Sequence, residues 1–328
     1  MKALVTGGGG FLGSAIAKKL RQAGFAVRSF SRGDYPFLKE WGVETLHGDL
    51  GQYLEVERAC SGCDVIFHVA AKAGLWGPHK DFYLPNVVGT QCVLEAARRL
   101  GIPKLIFTSS PSVVFNGRDM EGADESVGYA THFKSPYPKT KAIAEQMVLR
   151  ANCSSLATVA LRPHLIWGPG DPHLIPGILA RGRGFKRIGR AKKLVDFTYI
   201  DDAAEAHVQA AAALSPGSAV AGRAYFITQG QPMDPWDFIN RVLEIGGLPQ
   251  ISGSVSPTVA YAAGWLLESI YRLFQIRKEP RVTRFLVEEL STSHWFDISA
   301  AKSDLNYLPS VTMEQGFTRL RESRVQPC

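Results

Sequence analysis

The sequence has no apolar run long enough to cross a membrane and too few cysteines for a disulfide scaffold. Five of its 328 residues are cysteine, and no stretch approaches the ~20 consecutive apolar residues that a transmembrane helix requires. Lys and Arg (37) outnumber Asp and Glu (30), which leaves a formal net charge of +7. Because 45% of the residues are hydrophobic and 20% charged, the composition excludes a disordered, collagen-like or coiled-coil chain.

The cysteines carry no recognisable metal or redox motif. Cys60 and Cys63 have C-x-x-C spacing, but no second pair or histidine cluster accompanies them. We therefore interpret them as incidental and expect no metal site. Residues 3–6 form a strand-like run where a signal peptide would have a long apolar stretch. We expect a cytoplasmic protein in a reducing compartment.

Apolar runs of strand length alternate with helical patterns through the first half of the chain. Strands are expected at residues 3–5, 26–30, 65–69, 105–108 and 158–162. Helices are expected at residues 11–23, 87–100 and 141–151. Nearly continuous apolar strands separated by helices indicate a parallel sheet that is covered on both faces. The sequence predicts an α/β fold with a Rossmann-type, doubly wound parallel sheet.

Turn-forming residues cluster after residue 167 and suggest a domain boundary there. We expect residues 1–167 to form a dinucleotide-binding domain, to which residues 196–228 return. Residues 168–328 would form a smaller, interleaved substrate-binding domain. Seven cations between Arg181 and Lys193 are interpreted as a solvated, mobile loop, with an acidic partner or anionic lipid as alternatives. No aromatic residues for base stacking are interleaved with these cations, so nucleic acid is not an expected partner.

A glycine-rich turn joins the first strand to the first helix. Its spacing is G-x-x-G-x-x-G, and the residues expected to face the cofactor are Gly7, Gly10, Phe11, Leu12 and Gly13. Glycines let the backbone approach a pyrophosphate, and the following helix offers free N–H groups to the phosphates. The strand–turn–helix context therefore predicts a dinucleotide site.

The end of the second strand lacks the acid that selects NAD in such folds. Ser31 and Arg32 stand where an Asp or Glu would accept hydrogen bonds from the adenosine ribose. A guanidinium attracts a 2′-phosphate and a serine can donate to it, so NADP(H) is favoured, with a solvated Arg32 as the alternative. Asp49 and Leu50 follow another short strand, at a place where they would contact the adenine edge of the cofactor. The alternative is that Asp49 caps a helix.

Tyr137 and Lys141 have Y-x-x-x-K spacing, which places both side chains on one face of a helix. An ammonium near a phenol favours the phenolate, so we expect the pKa of Tyr137 to be below its usual ~10. Ser110 follows a predicted strand, at the sheet edge where ligands bind. Its hydroxyl can hold a substrate oxygen beside the tyrosine, although Ser109 and Ser112 are close neighbours. This arrangement predicts proton exchange with an alcohol or ketone.

Taken together, these motifs resemble the extended short-chain dehydrogenase/reductases. The likeness also includes residues 68–71, 86–90 and 161–163, and it covers nearly the whole chain. It implies that Ser110, Tyr137 and Lys141 are catalytic, with Lys141 holding the nicotinamide ribose. Further cofactor contacts are implied for Ala70, Ala71, Asn86, Pro163 and Leu165. A homodimer packed through helices near residues 90–100 and 138–150 is also implied.

Leu165 helps to choose a branch of the family. Family members that act on nucleotide sugars usually have Asn at this position, where it binds the sugar nucleotide. Leu165 cannot make those polar contacts, so a nucleotide-sugar epimerase is not favoured. Residues 107–110, 162–163, 197–202 and 225–228 resemble the 3β-hydroxysteroid dehydrogenase-like branch. Within that branch, the sequence is similar to bacterial reductases of 2-alkyl-3-oxoalkanoates from long-chain olefin biosynthesis at residues 30–36, 70–77, 141–145, 165–171 and 283–286. Ser110 departs from the Thr of that group but keeps the hydroxyl.

The resemblance implies NADPH-dependent reduction of the 3-keto group of a 2-alkyl-3-oxoalkanoic acid to the 2-alkyl-3-hydroxy acid. The alternatives are an NAD(P)-dependent 3β-hydroxysteroid or sterol dehydrogenase and a redox-silent NADP-binding protein. A hydrophobic, anionic small molecule is thus the expected substrate, and a complex with other enzymes of the pathway is a further expectation.

An apolar stripe at helical spacing lies in the second half of the chain. It consists of Val259, Ala263, Leu266, Leu267, Ile270, Leu273 and Phe274. The periodicity favours domain core, with a wall for the substrate chain or a peripheral membrane contact as alternatives.

Overall fold

Thirteen strands occur in the computed structural model, which describes residues 1–182 and 184–325. They are β1 (Lys2–Thr6), β2 (Ala26–Ser31), β3 (Glu44–His47), β4 (Val65–His68), β5 (Lys104–Thr108), β6 (Met120–Ala123), β7 (Ala157–Pro163), β8 (Ile166–Trp167), β9 (Arg187–Ile188), β10 (Thr198–Tyr199), β11 (Arg223–Ile227), β12 (Ser254–Val255) and β13 (His294–Phe296).

Thirteen α-helices accompany these strands in the described residues. They are α1 (Phe11–Gln22), α2 (Pro36–Glu40), α3 (Tyr53–Cys60), α4 (His79–Tyr83), α5 (Gly89–Arg99), α6 (Pro136–Arg150), α7 (Leu174–Arg181), α8 (Ile200–Ala213), α9 (Pro235–Ile245), α10 (Pro257–Leu273), α11 (Arg284–Ser291), α12 (Ser299–Leu305) and α13 (Met313–Val325). A 3₁₀ turn covers Pro111–Val113, and a π-helical turn, Leu84–Val88, leads directly into α5.

Seven strands form the main sheet, in the order β11-β7-β5-β4-β1-β2-β3. Every pairing in it is parallel, which confirms the predicted doubly wound α/β fold. The strand order reverses at the β1–β4 pair. Such a reversal opens a crevice at the carboxyl ends of the strands, where ligands bind in folds of this class.

The two faces of the sheet are covered by different helices because strand side chains alternate in direction. Val5 and Phe67 belong to a core that includes residues of α1 and α8. Leu4 and Ile66 lie in the opposite core, with residues of α3, α5 and α6. A third, smaller apolar cluster joins residues of α9, α10 and α11.

Some of the elements that follow β7 pack on the main sheet or join it, whereas others belong to a separate group of helices. β10 pairs with β8, α8 packs on α1, and β11 forms one edge of the main sheet beside β7. Helices α9, α10 and α11 pack together around the third apolar cluster. The division at residue 167 stays a prediction.

The basic segment contains a short strand and three ion pairs, and its mobility stays a prediction. Three of its cations form ion pairs, Arg181 with Glu279, Arg187 with Asp234, and Lys193 with Asp119. In addition, β9 pairs with β12 immediately before α10. Arg183, which belongs to the same basic segment, lies outside the described residues.

The stripe on α10 is not domain core. Val259, Leu266, Leu273 and Phe274 are exposed, whereas Ala260, Gly264 and Glu268 form the buried side of the helix. The favoured interpretation was therefore wrong, because periodicity identifies an apolar face without saying what covers it.

Candidate active site

The glycine turn brings three backbone segments into direct contact. Gly7 has a φ of +70°, and a Cβ there would lie 2.9 Å from the Cα of Ala70. A Cβ on Gly13 would lie 2.1 Å from the Gly7 carbonyl oxygen. The first turn of α1 contains no acidic residue, and Gly10 precedes it without a side-chain cap. Its N–H groups are thus available to an anion, and the loop fits the pyrophosphate of a dinucleotide.

Ser31 and Arg32 lie beside this turn. The Gly9 N–H points at Ser31 Oγ across 3.4 Å, and Arg32 is exposed, with no ion pair to any described residue. Sequence reasoning missed Tyr35, whose ring packs so closely on the turn that a Cβ on Gly9 would lie 2.0 Å from it. The signal available was a tyrosine shortly after Arg32. These residues form a rim beside the turn, and the exposed Arg32 guanidinium lies on it.

Asp49 and Leu50 differ in their surroundings. The exposed Asp49 carboxylate accepts a hydrogen bond from the Gly51 N–H at 2.8 Å. It therefore closes a turn and does not cap α3, which begins after Gln52. Leu50 is buried and packs against Gly89 of α5. Of these two residues, Asp49 is the one whose side chain is exposed to solvent.

A directed chain of hydrogen bonds joins the ends of β1 and β4. Thr90 donates to the Asn86 carbonyl oxygen at 2.7 Å, so it accepts from His68 Nε2 at 2.9 Å. The other ring nitrogen, His68 Nδ1, accepts from the Thr6 hydroxyl at 2.8 Å. The Thr6 oxygen in turn accepts from the Ala70 N–H at 3.2 Å. Burial lowers the pKa of His68 to about 3, so the ring is neutral and holds the segment at Ala70 against the glycine turn.

Asn86 lies in the π-helical turn and acts as a clamp. Its amide accepts from the Lys72 N–H at 2.7 Å and donates to the Lys72 carbonyl at 3.1 Å. It also donates to the Thr140 hydroxyl at 3.0 Å. Thr140 precedes Lys141, so Asn86 connects the segment after Ala70 and Ala71 to helix α6. Asn86 is thus linked to Lys141 indirectly, through Thr140.

Ser110, Tyr137 and Lys141 converge at the carboxyl end of β5. Pro136 starts α6 at a position where proline costs no hydrogen bond. Ser110 is close enough to Tyr137 to lower its pKa against the larger effect of burial, and Ser110 Oγ lies 2.9 Å from Ser112 Oγ. The buried Lys141 donates to the Thr108 carbonyl oxygen at 2.5 Å. Ser109, by contrast, has a buried hydroxyl with no partner.

The pKa values of this group are set mainly by burial. Burial raises the pKa of Tyr137 to about 12, against the opposing effect of Ser110. This direction is opposite to the expected lowering, because the Lys141 ammonium points to Thr108. Burial lowers the pKa of Lys141 to about 7, and the charge of Glu145 opposes the shift. Tyr137 therefore holds its proton at neutral pH, as a proton donor must.

The other wall of the site comes from β7 and α11. Pro163 ends β7, and Leu165 follows with a φ of +39°. Between them, His164 Nε2 lies 2.7 Å from His294 Nδ1, and His294 Nε2 donates to the Glu289 carbonyl oxygen at 2.8 Å. The Glu289 carboxylate raises the pKa of Tyr137, and burial raises its own pKa to about 8. His294 and Glu289 were not found by sequence reasoning, because no motif marks them.

The fold and this grouping agree with the result of a family comparison. Residues 4–255 match the 3-beta hydroxysteroid dehydrogenase/isomerase family. The chain belongs to that family, as the resemblance implied, and it is an oxidoreductase of the extended short-chain type. The family is NAD(P)-dependent, so a nicotinamide dinucleotide is its class of cofactor.

Named relatives cover nearly the whole chain. The 2-alkyl-3-oxoalkanoate reductase of Shewanella oneidensis is 49% identical, over 98% of this chain and 86% of the relative. The protein of the same name from Stenotrophomonas maltophilia is 46% identical, over 98% and 99%. The mouse sterol-4-alpha-carboxylate 3-dehydrogenase (decarboxylating) is 33% identical, over 98% and 90%.

Solved structures with the same fold extend over the same length. The crystal structure of gox2253 has a TM-score of 0.79 at 28% identity and covers 99% of this chain and 98% of its own. MoeE5 in complex with UDP-glucose and NAD has a TM-score of 0.75 at 23% identity, with 99% of both chains covered. The second likeness is one of fold alone.

Proposed function

We propose that the protein reduces the 3-keto group of a 2-alkyl-3-oxoalkanoic acid to the 2-alkyl-3-hydroxy acid with NADPH, as a step of long-chain olefin synthesis. The observation that carries this proposal is the convergence of Ser110, Tyr137 and Lys141 in a chain that is 49% identical to a relative of that name. The relative from Stenotrophomonas maltophilia, at 46% identity, supports the same substrate class.

The side chains fit the reduction of a ketone. NADPH, when bound, supplies the hydride that goes to C3 of the ketoacid. Ser110 donates a hydrogen bond to the ketone oxygen and holds it beside Tyr137. As negative charge develops on that oxygen, Tyr137 transfers its phenolic proton to it. Lys141, whose ammonium donates to the Thr108 carbonyl oxygen, would bind the ribose of the cofactor.

The rim at Ser31 and Arg32 supports the choice of NADP(H). We expect Arg32→Ala to raise the Kd of NADPH about 10- to 100-fold, because a hydrogen bond to a charged group contributes about 1.5–3 kcal/mol. The Kd of NADH should stay within about twofold, because NADH has no 2′-phosphate. Fluorescence titration of the full chain with each dinucleotide measures both values.

Arg321→Ala is the matched control for this variant, because it removes an exposed cation from α13. It should change neither Kd. An equal weakening of NADPH and NADH in Arg32→Ala would contradict a 2′-phosphate contact. An unchanged NADPH Kd would leave Arg32 as a solvated cation.

The substrate proposal is tested best in the oxidative direction, because 3-ketoacids lose CO₂ spontaneously. The full chain is given NADP⁺ and a 2-alkyl-3-hydroxyalkanoate, and NADPH absorbance is followed. Two electrons pass to NADP⁺ as hydride, and the ketoacid product decarboxylates to a ketone that mass spectrometry identifies. We expect both signals to rise together. Cofactor binding without any turnover on this acid or on sterols would instead indicate a redox-silent protein.

A sterol dehydrogenase is the second candidate, favoured by the 33% identity to the mouse sterol-4-alpha-carboxylate 3-dehydrogenase. A 3β-hydroxysterol 4-carboxylate contains the same 3-hydroxy acid unit on a rigid ring system. Parallel assays with this sterol acid and the open-chain acid compare kcat/KM directly. A higher kcat/KM for the sterol acid would replace the first proposal with this one.

A further inference from the structure

The outer face of helix α10 is apolar, although it faces away from the protein. Its residues repeat at helical spacing and are exposed, with values of 59% at Val259, 54% at Leu266, 38% at Ile270 and 76% at Leu273. Trp265 and Phe274 extend this face at its two edges, at 55% and 69% exposure. Ser269 interrupts it, but its hydroxyl donates to the Trp265 carbonyl oxygen at 2.8 Å and so has a partner within the helix.

The inner face of α10 contains the polar contacts. The Glu268 carboxylate is buried and accepts from the Arg284 N–H at 2.8 Å and from its guanidinium at 2.7 Å. Gly264 lies so close to α11 that a Cβ there would be 3.1 Å from the Arg284 nitrogen. An ordinary surface helix turns its apolar stripe toward the core. Helix α10 instead packs on its neighbours through small and polar residues and leaves its apolar stripe uncovered.

Cations without carboxylate partners lie beside both ends of this helix. Strand β12 precedes α10 and pairs with β9, which places the basic segment next to its first turn. Exposed cations that form no ion pair with a described carboxylate are Lys186, Arg190 and Lys192 at the first end and Arg277, Lys278 and Arg281 at the other. The two sets flank the apolar face with a single sign of charge.

We propose that α10 is a membrane-binding helix that lies in the plane of an anionic lipid surface. Helices that bind in this way combine an apolar face containing Trp, Phe and Leu with Lys and Arg close to the headgroups. The 17 residues of α10 span only about 25 Å at 1.5 Å per residue. No helix in the described part of the chain is long and apolar enough to cross a membrane, so the contact is peripheral.

The membrane-facing end of α10 also adjoins the candidate active site. Trp76 donates from Nε1 to the Ile276 carbonyl oxygen at 3.0 Å, and its ring packs edge-on against Tyr271. Its neighbour Leu75 accepts from the Ser135 hydroxyl at 3.1 Å, two residues before Tyr137. An apolar ligand dissolved in the bilayer would thus reach the site along this end of the helix. The proposal goes beyond the proposed function and does not depend on it.

Vesicle flotation with the full chain tests the proposal. We expect wild-type protein to float with vesicles of equal phosphatidylglycerol and phosphatidylcholine, and about tenfold less with phosphatidylcholine alone. Leu266→Glu with Leu273→Glu should reduce flotation on the anionic vesicles about tenfold or more. The matched control Leu308→Glu changes another leucine that is 69% exposed and should float like wild type.

A second pair of variants tests the charges. Arg277→Gln with Lys278→Gln should reduce binding to anionic vesicles about 30-fold, since each cation near the surface contributes about 1 kcal/mol. Lys302→Gln, an exposed cation on α12, should have no effect. Acyl chains carrying bromine should quench tryptophan fluorescence in wild type, and Trp265→Phe should remove most of that quenching.

Three results would overturn the proposal. The first is wild-type protein that does not float on the anionic vesicles. The second is undiminished flotation of the double glutamate variant, or quenching that persists in Trp265→Phe. The third is wild type that stays unbound while light scattering shows a dimer that the glutamate variant converts to monomer. The face would then be an interface between two copies of this chain.

Discussion

Tyr137→Phe should lower kcat about 10²- to 10⁴-fold with the proposed 3-hydroxy acid, the range ascribed to a lost general acid or base. Burial raises the pKa of the phenol to about 12, against the opposing effect of Ser110, so the phenol keeps its proton at neutral pH. Phenylalanine keeps the ring but can neither give a proton to the ketone oxygen nor, in the oxidative direction, accept one from the 3-hydroxyl group. Steady-state rates of NADP⁺ reduction measure the effect.

Two controls separate this loss from a folding or binding defect. Tyr307→Phe removes another buried phenol, which donates to the Thr228 carbonyl oxygen at 3.0 Å away from the catalytic group, and it should keep near wild-type kcat. In Tyr137→Phe the Kd of NADPH should rise by less than about fivefold, because Lys141 and the glycine turn remain. A Tyr137→Phe enzyme with more than a tenth of wild-type kcat would refute the assigned role.

Arg162→Met should destabilise the fold by about 3–5 kcal/mol, the usual cost of leaving one buried charge without its partner. Arg162 on β7 donates to both oxygens of Glu145 on α6, at 2.6–3.2 Å, and both side chains are buried. Tyr129 donates to the same carboxylate at 2.7 Å. The pair holds α6, which contains Tyr137 and Lys141, against the strand that ends at Pro163. Urea unfolding at neutral pH gives the free energy.

An exposed pair is the matched control for this substitution. Arg241 and Glu314 are ion-paired at the surface, with 72% of the Glu314 side chain exposed. Arg241→Met should therefore cost at most about 1 kcal/mol. The double variant Arg162→Met/Glu145→Leu should recover part of the loss, because it removes the uncompensated carboxylate as well. If Arg162→Met lowers the free energy of unfolding by less than about 1 kcal/mol, the Glu145 carboxylate is not left as a buried charge without a partner.

Local spacing was sufficient to predict the residues of the catalytic group. Tyr137 and Lys141 are four positions apart, so any helix there puts them on one face. Ser110 and the glycine turn directly follow strands, and parallel strands bring their carboxyl ends to one edge. The helical spacing and the strand ends depend only on neighbouring residues and on the sheet topology. Both can be predicted from the sequence pattern.

Contacts between distant segments were not predictable in this way. His294 meets His164 across 130 positions, and neither lies in a repeating pattern. Glu289, on a different helix, adds to the rise that burial causes in the pKa of Tyr137, and Tyr35 covers Gly9 from the loop after β2. The direction of the Tyr137 pKa shift failed for the same reason. It depends on how deeply α6 is buried and on where Lys141 points, and spacing alone contains neither quantity.

The sequence by itself predicted the doubly wound sheet and the family, which are confirmed, together with the dinucleotide turn and the three residues of the catalytic group, whose roles stay predictions. The sheet, the turn and the three residues follow from periodicity and from short spacings, which act within one or two elements, whereas the family follows from the resemblance of the motifs to known proteins. Only the tertiary structure decided that the apolar stripe of α10 faces outward and that Tyr137 retains its proton. How deeply a side chain is buried, and which charges act on it, depend on all the segments packed around it. Most of those segments are far away in the chain.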